Sequence, residues 1–514
     1  MQVVFFIISL ILTLLFFIYG FNHYYLLHSA RSYQPPVLPD DPGIRSKVAI
    51  HLPVYNERYV IRRLVESCAV MVEAYGIEEV RIMILDDSDD DTAHEIDQVV
   101  DEYRQKHFKI EVLRREDRIG FKAGALQAAL ERTEEDFIAI FDADFIPPVD
   151  FLLRTMPYFL RYENLGIIQS RWTHLNRDFN VLTKAIALGI DVHFLVEQTG
   201  RYSAGCFQNF NGSGGVLRKK AILQAGSWKA DTLAEDLDLS YRIQLQGYQV
   251  IFLRDLLCPG EVPPTIPSFK KQQARWACGS LRTAKKVLPV LLRDPGVGKK
   301  QRLQSFIHLT GYILHPLMVF SFLLTCIATI TGLNNPVTPL VNNVITVQRD
   351  LLMAGAFPIR TLQNLIWGIL FPLVILCMVA PWMSSLYTLK VQNLSLGRNL
   401  MTLFVLLLLG FGLSLSNTIE AGKALLTDRI WEFNRTPKYA KLQNKQEWRG
   451  KRYQVSTDLL WILELLALLA GLLTIGIALK SSNFPALLVM LPFTLGYSFI
   501  LLFTFLHRDQ SDVP

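Results

Sequence analysis

No two of the six cysteines are spaced as a metal-binding or redox pair. Cys68, Cys206, Cys258, Cys278, Cys326 and Cys377 are scattered through 514 residues with no CxxC among them. That spacing suggests no zinc or disulfide framework and fits a reduced compartment. Charge is also scarce: Asp, Glu, Lys and Arg make up 19% of the chain, against 51% hydrophobic residues. A mean hydropathy of +0.26 is too apolar for a soluble enzyme of this size and indicates a mixed soluble and membrane protein. There is no internal repeat and no low-complexity tract. The net charge of +6 is too modest for nucleic-acid binding. It fits a bias toward a membrane surface together with an anionic ligand.

The apolar residues that are present come in runs. Residues 2–21 carry no charge and are long enough to span a bilayer. With no basic segment before them, residues 1–28 read as a retained anchor and not as a cleaved leader. Residues 29–300 have ordinary globular composition. From residue 301 onward long apolar runs return, at about 305–331, 364–389, 399–419, 459–479 and 484–506. The segment 421–457 holds nine Lys/Arg against three Asp/Glu, which places it in the cytoplasm. Arg31 and Lys47 place the start of the globular block there as well. Three full crossings between the two would put them on opposite sides. One run therefore should not span, and 399–419 is expected to be interfacial or re-entrant. On this count Met1 lies outside.

Within residues 29–300, short strand-like stretches at 48–52, 80–85, 108–113, 137–141, 165–169 and 250–253 alternate with helical patterns such as 58–75, 92–106 and 122–132. Such alternation implies a mostly parallel, helix-covered sheet, with ligands beyond the carboxyl ends of its strands. Asp86-Asp87 and Asp142-Ala143-Asp144 both sit at such ends. Two carboxylates two positions apart can hold a hard divalent cation, Mg²⁺ or Mn²⁺, against a diphosphate. Asp86-Asp87 can accept hydrogen bonds from a base or ribose, although a capped turn has the same composition. Lys122, in Gly120-Phe121-Lys122-Ala123-Gly124, stands at a helix start suited to a phosphate oxygen. Asn211-Gly212-Ser213-Gly214-Gly215 would let backbone approach a ligand closely. Glu235-Asp236 opens another helix, where acidity complements the dipole, and Asp236 is the candidate general base. In Gln272-x-x-Arg275-Trp276 the i, i+3, i+4 spacing puts the three side chains on one helix face. Trp276 could offer a platform to a sugar ring, or simply fill core, and Arg275 is a cation for a departing phosphate.

Taken in order, Leu85-Asp86-Asp87-Ser88-Asp89-Asp90-Asp91-Thr92, Phe121-Lys122-Ala123-Gly124-Ala125-Leu126, Ile140-Phe141-Asp142-Ala143-Asp144-Phe145, Phe210-Asn211-Gly212, Val262-Pro263-Pro264-Thr265 and Gln272-Gln273-Ala274-Arg275-Trp276-Ala277-Cys278-Gly279 resemble the membrane-bound family 2 glycosyltransferases. The resemblance is greatest to the plant cellulose-synthase-like glucomannan and xyloglucan-backbone synthases. It implies an α/β fold of GT-A (Rossmann-like) type, cytosolic and inserted in an α-helical polytopic membrane domain, and an inverting reaction. By the resemblance, the stretch His51-Leu52-Pro53-Val54-Tyr55-Asn56-Glu57 is the nucleotide-binding first strand, with Pro53, Tyr55 and Glu57 at the cofactor. Asp87 matches the uridine-contacting carboxylate, and Lys122 joins the donor site. Asp142 and Asp144 match the metal and diphosphate site, and Asp236 the base, beside Glu235. Phe433-Asn434-Arg435-Thr436-Pro437-Lys438 is similar to the gating-loop motif of cellulose synthase, placing Phe433, Thr436 and Lys438 over the donor. The chain departs from the family in having Ala234 where many members have Thr, and it lacks the cyclic-dinucleotide-binding domain of bacterial cellulose synthase.

The expected organisation is therefore an anchor (1–28), a GT-A domain (29–300) and a transmembrane channel region (301–514) with a gating loop at 421–457. The expected partners are a nucleotide-sugar donor, a polysaccharide or glycolipid acceptor and the lipid bilayer, with no nucleic acid. UDP-glucose is the expected donor and a β-1,4-linked polysaccharide the expected product. There are two alternatives: GDP-mannose in a mannan synthase, and a single glucosyl addition to a membrane lipid. A catalytically dead scaffold or transporter is the rival from outside enzymes, and the intact carboxylate set argues against it.

Overall fold

Each of the six expected strand segments is a strand in the computed structural model, which describes residues 2–40, 43–332, 359–427 and 459–507. In chain order the strands are β1 (Val48–Val54), β2 (Val80–Asp86), β3 (Lys109–Arg114), β4 (Phe137–Ile140), β5 (Leu165–His174), β6 (Gly215–Arg218) and β7 (Gln249–Gly260). The unexpected one is β6. Its four residues follow a glycine-rich loop and are too few to show a period.

The seven strands form one sheet in the order β3-β2-β1-β4-β6-β5-β7. β1 runs parallel to both β2 and β4, β2 is parallel to β3, and β5 is parallel to β7. β6 runs antiparallel to β4 and β5. Strands buried on both faces read as continuous apolar runs, and β1 and β2 do so because helices cover both sides of the sheet. On one face Leu64, Val65, Ile96, Val99, Phe151 and Met156 pack from three helices (Ile61–Tyr75, Thr92–Gln105 and Phe151–Arg161). On the other face Leu126 and Leu130 come from Phe121–Arg132, and Leu239 and Ile243 from Glu235–Leu245. In the β1–β2 register Val54 lies beside Asp86, and the amide of Phe141 donates to His51 O at 3.3 Å. The carboxyl ends of β1, β2 and β4 thus open along one edge.

The chain divides into two compact units. Leu26–Tyr312 is the body of the one that holds the sheet. The other holds most of the N-terminal helix Gln2–Arg31 and the apolar helices that follow residue 312. Among the described residues, Ile7–Arg31, Gly311–Ile330, Leu460–Lys480 and Phe484–Leu506 are long and apolar enough to cross a membrane. The run expected at 399–419 as one helix is two, Leu396–Gly412 and Ser414–Leu426, bent by 43°. That form is shared by a broken span and a re-entrant pair, and taken together the two helices are also apolar enough for one span. Gly412 lets this helix meet Phe484–Leu506 closely, since a Cβ there would come 2.5 Å from Gly496 O; small residues serve helix packing in lipid this way. Beyond residue 427, the expected loop at 421–457 lies outside the described residues.

Phe141 is fully buried and packs edge-on against Phe151 at 5.0 Å, directly before the Asp142–Asp144 turn. Phe141→Ala should cost about 3–5 kcal/mol. A denaturation midpoint equal to that of wild type would show that the turn is held without it.

Candidate active site

The open strand edge and the starts of two helices enclose a cleft of about 210 Å³. Every expected site residue within the described part of the chain lines it. Pro53, Tyr55 and Glu57 come from the end of β1, Asp87 from the end of β2, and Asp142 and Asp144 from the turn after β4. Lys122 comes from the first turn of Phe121–Arg132, and Glu235 and Asp236 from the first turn of Glu235–Leu245. Gln272, Arg275 and Trp276 come from one face of the helix Ile266–Arg293. Phe433, Thr436 and Lys438 lie outside the described residues.

Lys122 is central. Its ammonium donates to Asp142 Oδ1 at 2.6 Å and to Gly212 O at 2.9 Å, and it lies 3.8 Å from Glu235 Oε1. Burial alone would lower its pKa, but the charges of Asp142, Glu235 and Asp236 outweigh this and raise it. Asp236 is only half-buried at its surface, yet packed protein encloses its carboxyl. That desolvation and the charge of Glu235 push its pKa up to about 7, against the pull of Lys122. The Leu237 amide donates to Asp236 Oδ1 at 2.8 Å. Gly212 has φ +81°, and a Cβ there would stand 2.7 Å from Asp236 Oδ2 and 3.2 Å from Lys122 Nζ. Both the conformation and the space demand glycine.

Asp144 is buried, and its Oδ2 accepts from the Glu261 amide at 2.9 Å. Arg63 supports this corner, donating to Asp144 O at 3.2 Å and to Glu261 Oε1 at 2.9 Å. No group of three or more His, Cys, Asp or Glu placed to hold a metal occurs among the described residues. Asp142 and Asp144 could therefore offer a cation two carboxylates, leaving its other positions to a diphosphate. That donor set fits a hard cation shared with substrate phosphates.

At the end of the cleft formed by β1 and β2, the Arg118 guanidinium lies 3.3 Å from the centre of the Tyr55 ring, a cation–π contact. Arg118 lines the cleft, and its Nε is buried without a hydrogen-bond partner. Arg115 grips Asp87 with two hydrogen bonds. Trp172 and His174, from the end of β5, also face the cleft, and Trp172 Nε1 donates to Ser213 O at 2.9 Å. Sequence reasoning missed these residues. A signal existed for Arg115: Arg114-Arg115 ends β3 as Asp86-Asp87 ends β2, and parallel pairing sets the two pairs side by side. His51, the first residue of the expected nucleotide-binding stretch, is instead core. It is fully buried against Thr133 at 2.9 Å, and desolvation pulls its pKa down to about 3. At the far wall Gln272 Oε1 is buried without a partner, Trp276 is half-buried, and Ala234 sits tight against Gly279.

The model of the glycosyl transferase family group 2 matches residues 137–415, and that of glycosyl transferase family 2 matches residues 49–199. Curated relatives include glucomannan 4-beta-mannosyltransferase 2 of Arabidopsis thaliana, 35% identical over 254 residues, which are 49% of this chain and 47% of the relative. Glucomannan 4-beta-mannosyltransferase 1 of Cyamopsis tetragonoloba is 34% identical over 282 residues, or 54% and 53% of the two chains. The chain thus spans about half the length of the curated relatives it matches. Among solved structures, a mannosyltransferase from Pyrobaculum calidifontis, in complex with GDP-Man and Mn²⁺, shares the fold. Its TM-score is 0.50 at 19% identity, covering 73% of this chain and 98% of that one.

The raised pKa of Asp236 has a consequence for stability. Between the ordinary 3.8 and about 7, the folded state keeps a proton that the unfolded chain has released. This group therefore makes the protein less stable as pH rises through that window. Asp236→Asn removes the slope. Its unfolding temperature, relative to wild type, should gain more at pH 8 than at pH 5, and equal gains at both would refute the raised pKa.

Proposed function

We propose a polysaccharide-building activity for this chain, which belongs to the glycosyl transferase family group 2: inverting transfer of a hexose from a nucleotide sugar to a growing β-linked polymer. One cleft carries the proposal. Lys122, Asp142 and Asp144, suited to a diphosphate, face it together with the enclosed carboxylate of Asp236 and the indole of Trp276. In this reading Asp236 takes the proton of the acceptor hydroxyl as its oxygen attacks the anomeric carbon, and the bond from that carbon to the diphosphate breaks. The raised pKa suits a base working near neutral pH. Lys122 and Arg275 face the charge of the departing diphosphate. A divalent cation held by Asp142 and Asp144 would supply further neutralisation there. Trp276 offers a flat face to the acceptor sugar, and Tyr55, Asp87 and Arg118 border the nucleoside.

The donor we favour is GDP-mannose, where the sequence alone pointed to UDP-glucose. The relatives at 34–35% identity are named glucomannan 4-beta-mannosyltransferases, and the Pyrobaculum protein holds GDP-Man. Residues 29–300 would be the catalytic domain on the cytoplasmic side and residues 301–514 the membrane region. The product would pass through that region, with Phe433, Thr436 and Lys438 closing over the donor.

Washed membranes given radiolabelled GDP-mannose, UDP-glucose or UDP-GlcNAc test the activity and the donor together. Incorporation into polymer from GDP-mannose is expected, and incorporation from none of the three overturns the proposal. Chelation should abolish transfer, with Mn²⁺ or Mg²⁺ restoring it, and Asp144→Asn should be inactive but well expressed. Full activity in EDTA would rule out the metal. Asp236→Asn should lose about 10²–10⁴-fold in rate with donor affinity little changed. Trp276→Ala should bind donor normally and make short product or none. Full-length product at the normal rate would return Trp276 to the packed core.

A further inference from the structure

Parallel pairing of β2 with β3 sets Asp86 beside Arg114, and the next residue of each strand repeats the match. The two pairs diverge. Arg114 turns toward the helix Thr92–Gln105, holding Asp86 Oδ2 at 2.8 Å and Asp97 Oδ1 at 2.8 Å, and it is 43% exposed. Arg115 turns to Asp87 and lies behind the cleft wall, 14% exposed against Asp87 at 7%. Its Nε donates to Asp87 Oδ1 at 3.0 Å and its Nη2 to Asp87 Oδ2 at 2.5 Å. The other side of the same guanidinium donates to Ile119 O at 2.8 Å and to Phe121 O at 3.2 Å. Those two carbonyls belong to the turn that launches the helix carrying Lys122. In this turn Gly120, at φ 76°, takes freely a form that Phe121, at φ 50°, keeps only where its surroundings hold it. Gly124 completes the socket, since a Cβ there would stand 2.1 Å from Ile119 O and 2.5 Å from Arg115 Nη1.

We propose that Arg115 is the positioning residue of the donor site: one guanidinium fixes the Asp87 carboxylate at the nucleoside end and the Lys122 turn at the diphosphate end, and so sets the spacing between them. The proposal rests on the nucleotide-sugar reading above. Arg115 takes one lone pair from each Asp87 oxygen, leaving each a second to accept from a base or ribose. The planar fork matters more than the charge. Lysine at this position would keep the charge and lose the simultaneous grip on carboxylate and carbonyls.

Binding of GDP, UDP and inorganic pyrophosphate, each with Mn²⁺, measured on the purified full chain in nanodiscs, tests this. Asp87→Asn should weaken nucleoside diphosphate binding and leave pyrophosphate unchanged, because Asp87 meets only the nucleoside. Arg115→Lys should weaken all of the ligands that wild type binds, by about tenfold or more, and the double variant should be no worse than Arg115→Lys alone, as expected for groups acting as one unit. A merely structural Arg115 would lower the unfolding temperature and leave the affinity of the folded protein intact. Arg115→Gln, which loses the fork without leaving an ammonium in its place, should reproduce the loss if Arg115→Lys does not fold. Affinities within about twofold of wild type in the folded Arg115→Lys or Arg115→Gln protein, or additive losses in the double variant, overturn the proposal. Wild-type protein that binds neither nucleotide would instead overturn the nucleotide-sugar reading itself.

Discussion

Four carboxylates, those of Asp142, Asp144, Glu235 and Asp236, converge on one cleft of about 210 Å³, and that convergence is costly. Charged groups withdrawn from water need partners, and like charges at short range raise one another's pKa. Lys122 offsets much of this cost, with its ammonium between Asp142 and Glu235. The backbone offsets more, through the Glu261 amide at Asp144 and the Leu237 amide at Asp236. What is left uncompensated falls on Asp236, whose pKa rises. The same crowding that strains the cleft thus prepares one group to accept a proton near neutral pH.

The rest of the sheet-bearing unit serves to hold that crowd in place. Parallel β1, β2 and β4 end along one edge, so residues far apart in the chain arrive side by side without long loops. Buried packing on both faces of the sheet keeps those ends from shifting, with Phe141 against Phe151 directly beneath the Asp142 turn. Helix starts then deliver Lys122, Glu235 and Asp236 from the other side. Arginines complete the end of the cleft at β1 and β2. Arg118 lies over Tyr55, and Arg115 ties Asp87 to the turn before Lys122.

Much of this was legible in the amino-acid order because the physics behind it is local. Strands and helices follow from the period of apolar residues, and six of the seven strands could be placed that way. The exception, β6, has four residues and takes its antiparallel direction from its neighbours β4 and β5. The helix face shared by Gln272, Arg275 and Trp276 follows from helical geometry alone. The order of the acidic pairs, read with the family resemblance, pointed to the cleft residues before any fold was known. The bend between Leu396–Gly412 and Ser414–Leu426 was not legible, since both segments are apolar and the run reads as continuous.

The sequence by itself therefore determined which carboxylates, cations and aromatics come to one cleft and which segments are apolar enough to cross a membrane. Both follow from residue type and spacing along one chain. Only the tertiary structure decided how those residues act on one another. It put His51 in the core while Pro53 and Tyr55 reached the cleft: the three alternate positions share one face, but His51 lies inside the sheet between β2 and β4, and Pro53 and Tyr55 lie at and just past the open end of β1. It set the Arg115 grip on Asp87, the place of Arg118 over Tyr55 and the raised pKa of Asp236. Each of these depends on distances between segments dozens to hundreds of residues apart, and electrostatic interaction falls off with distance in space and not along the chain.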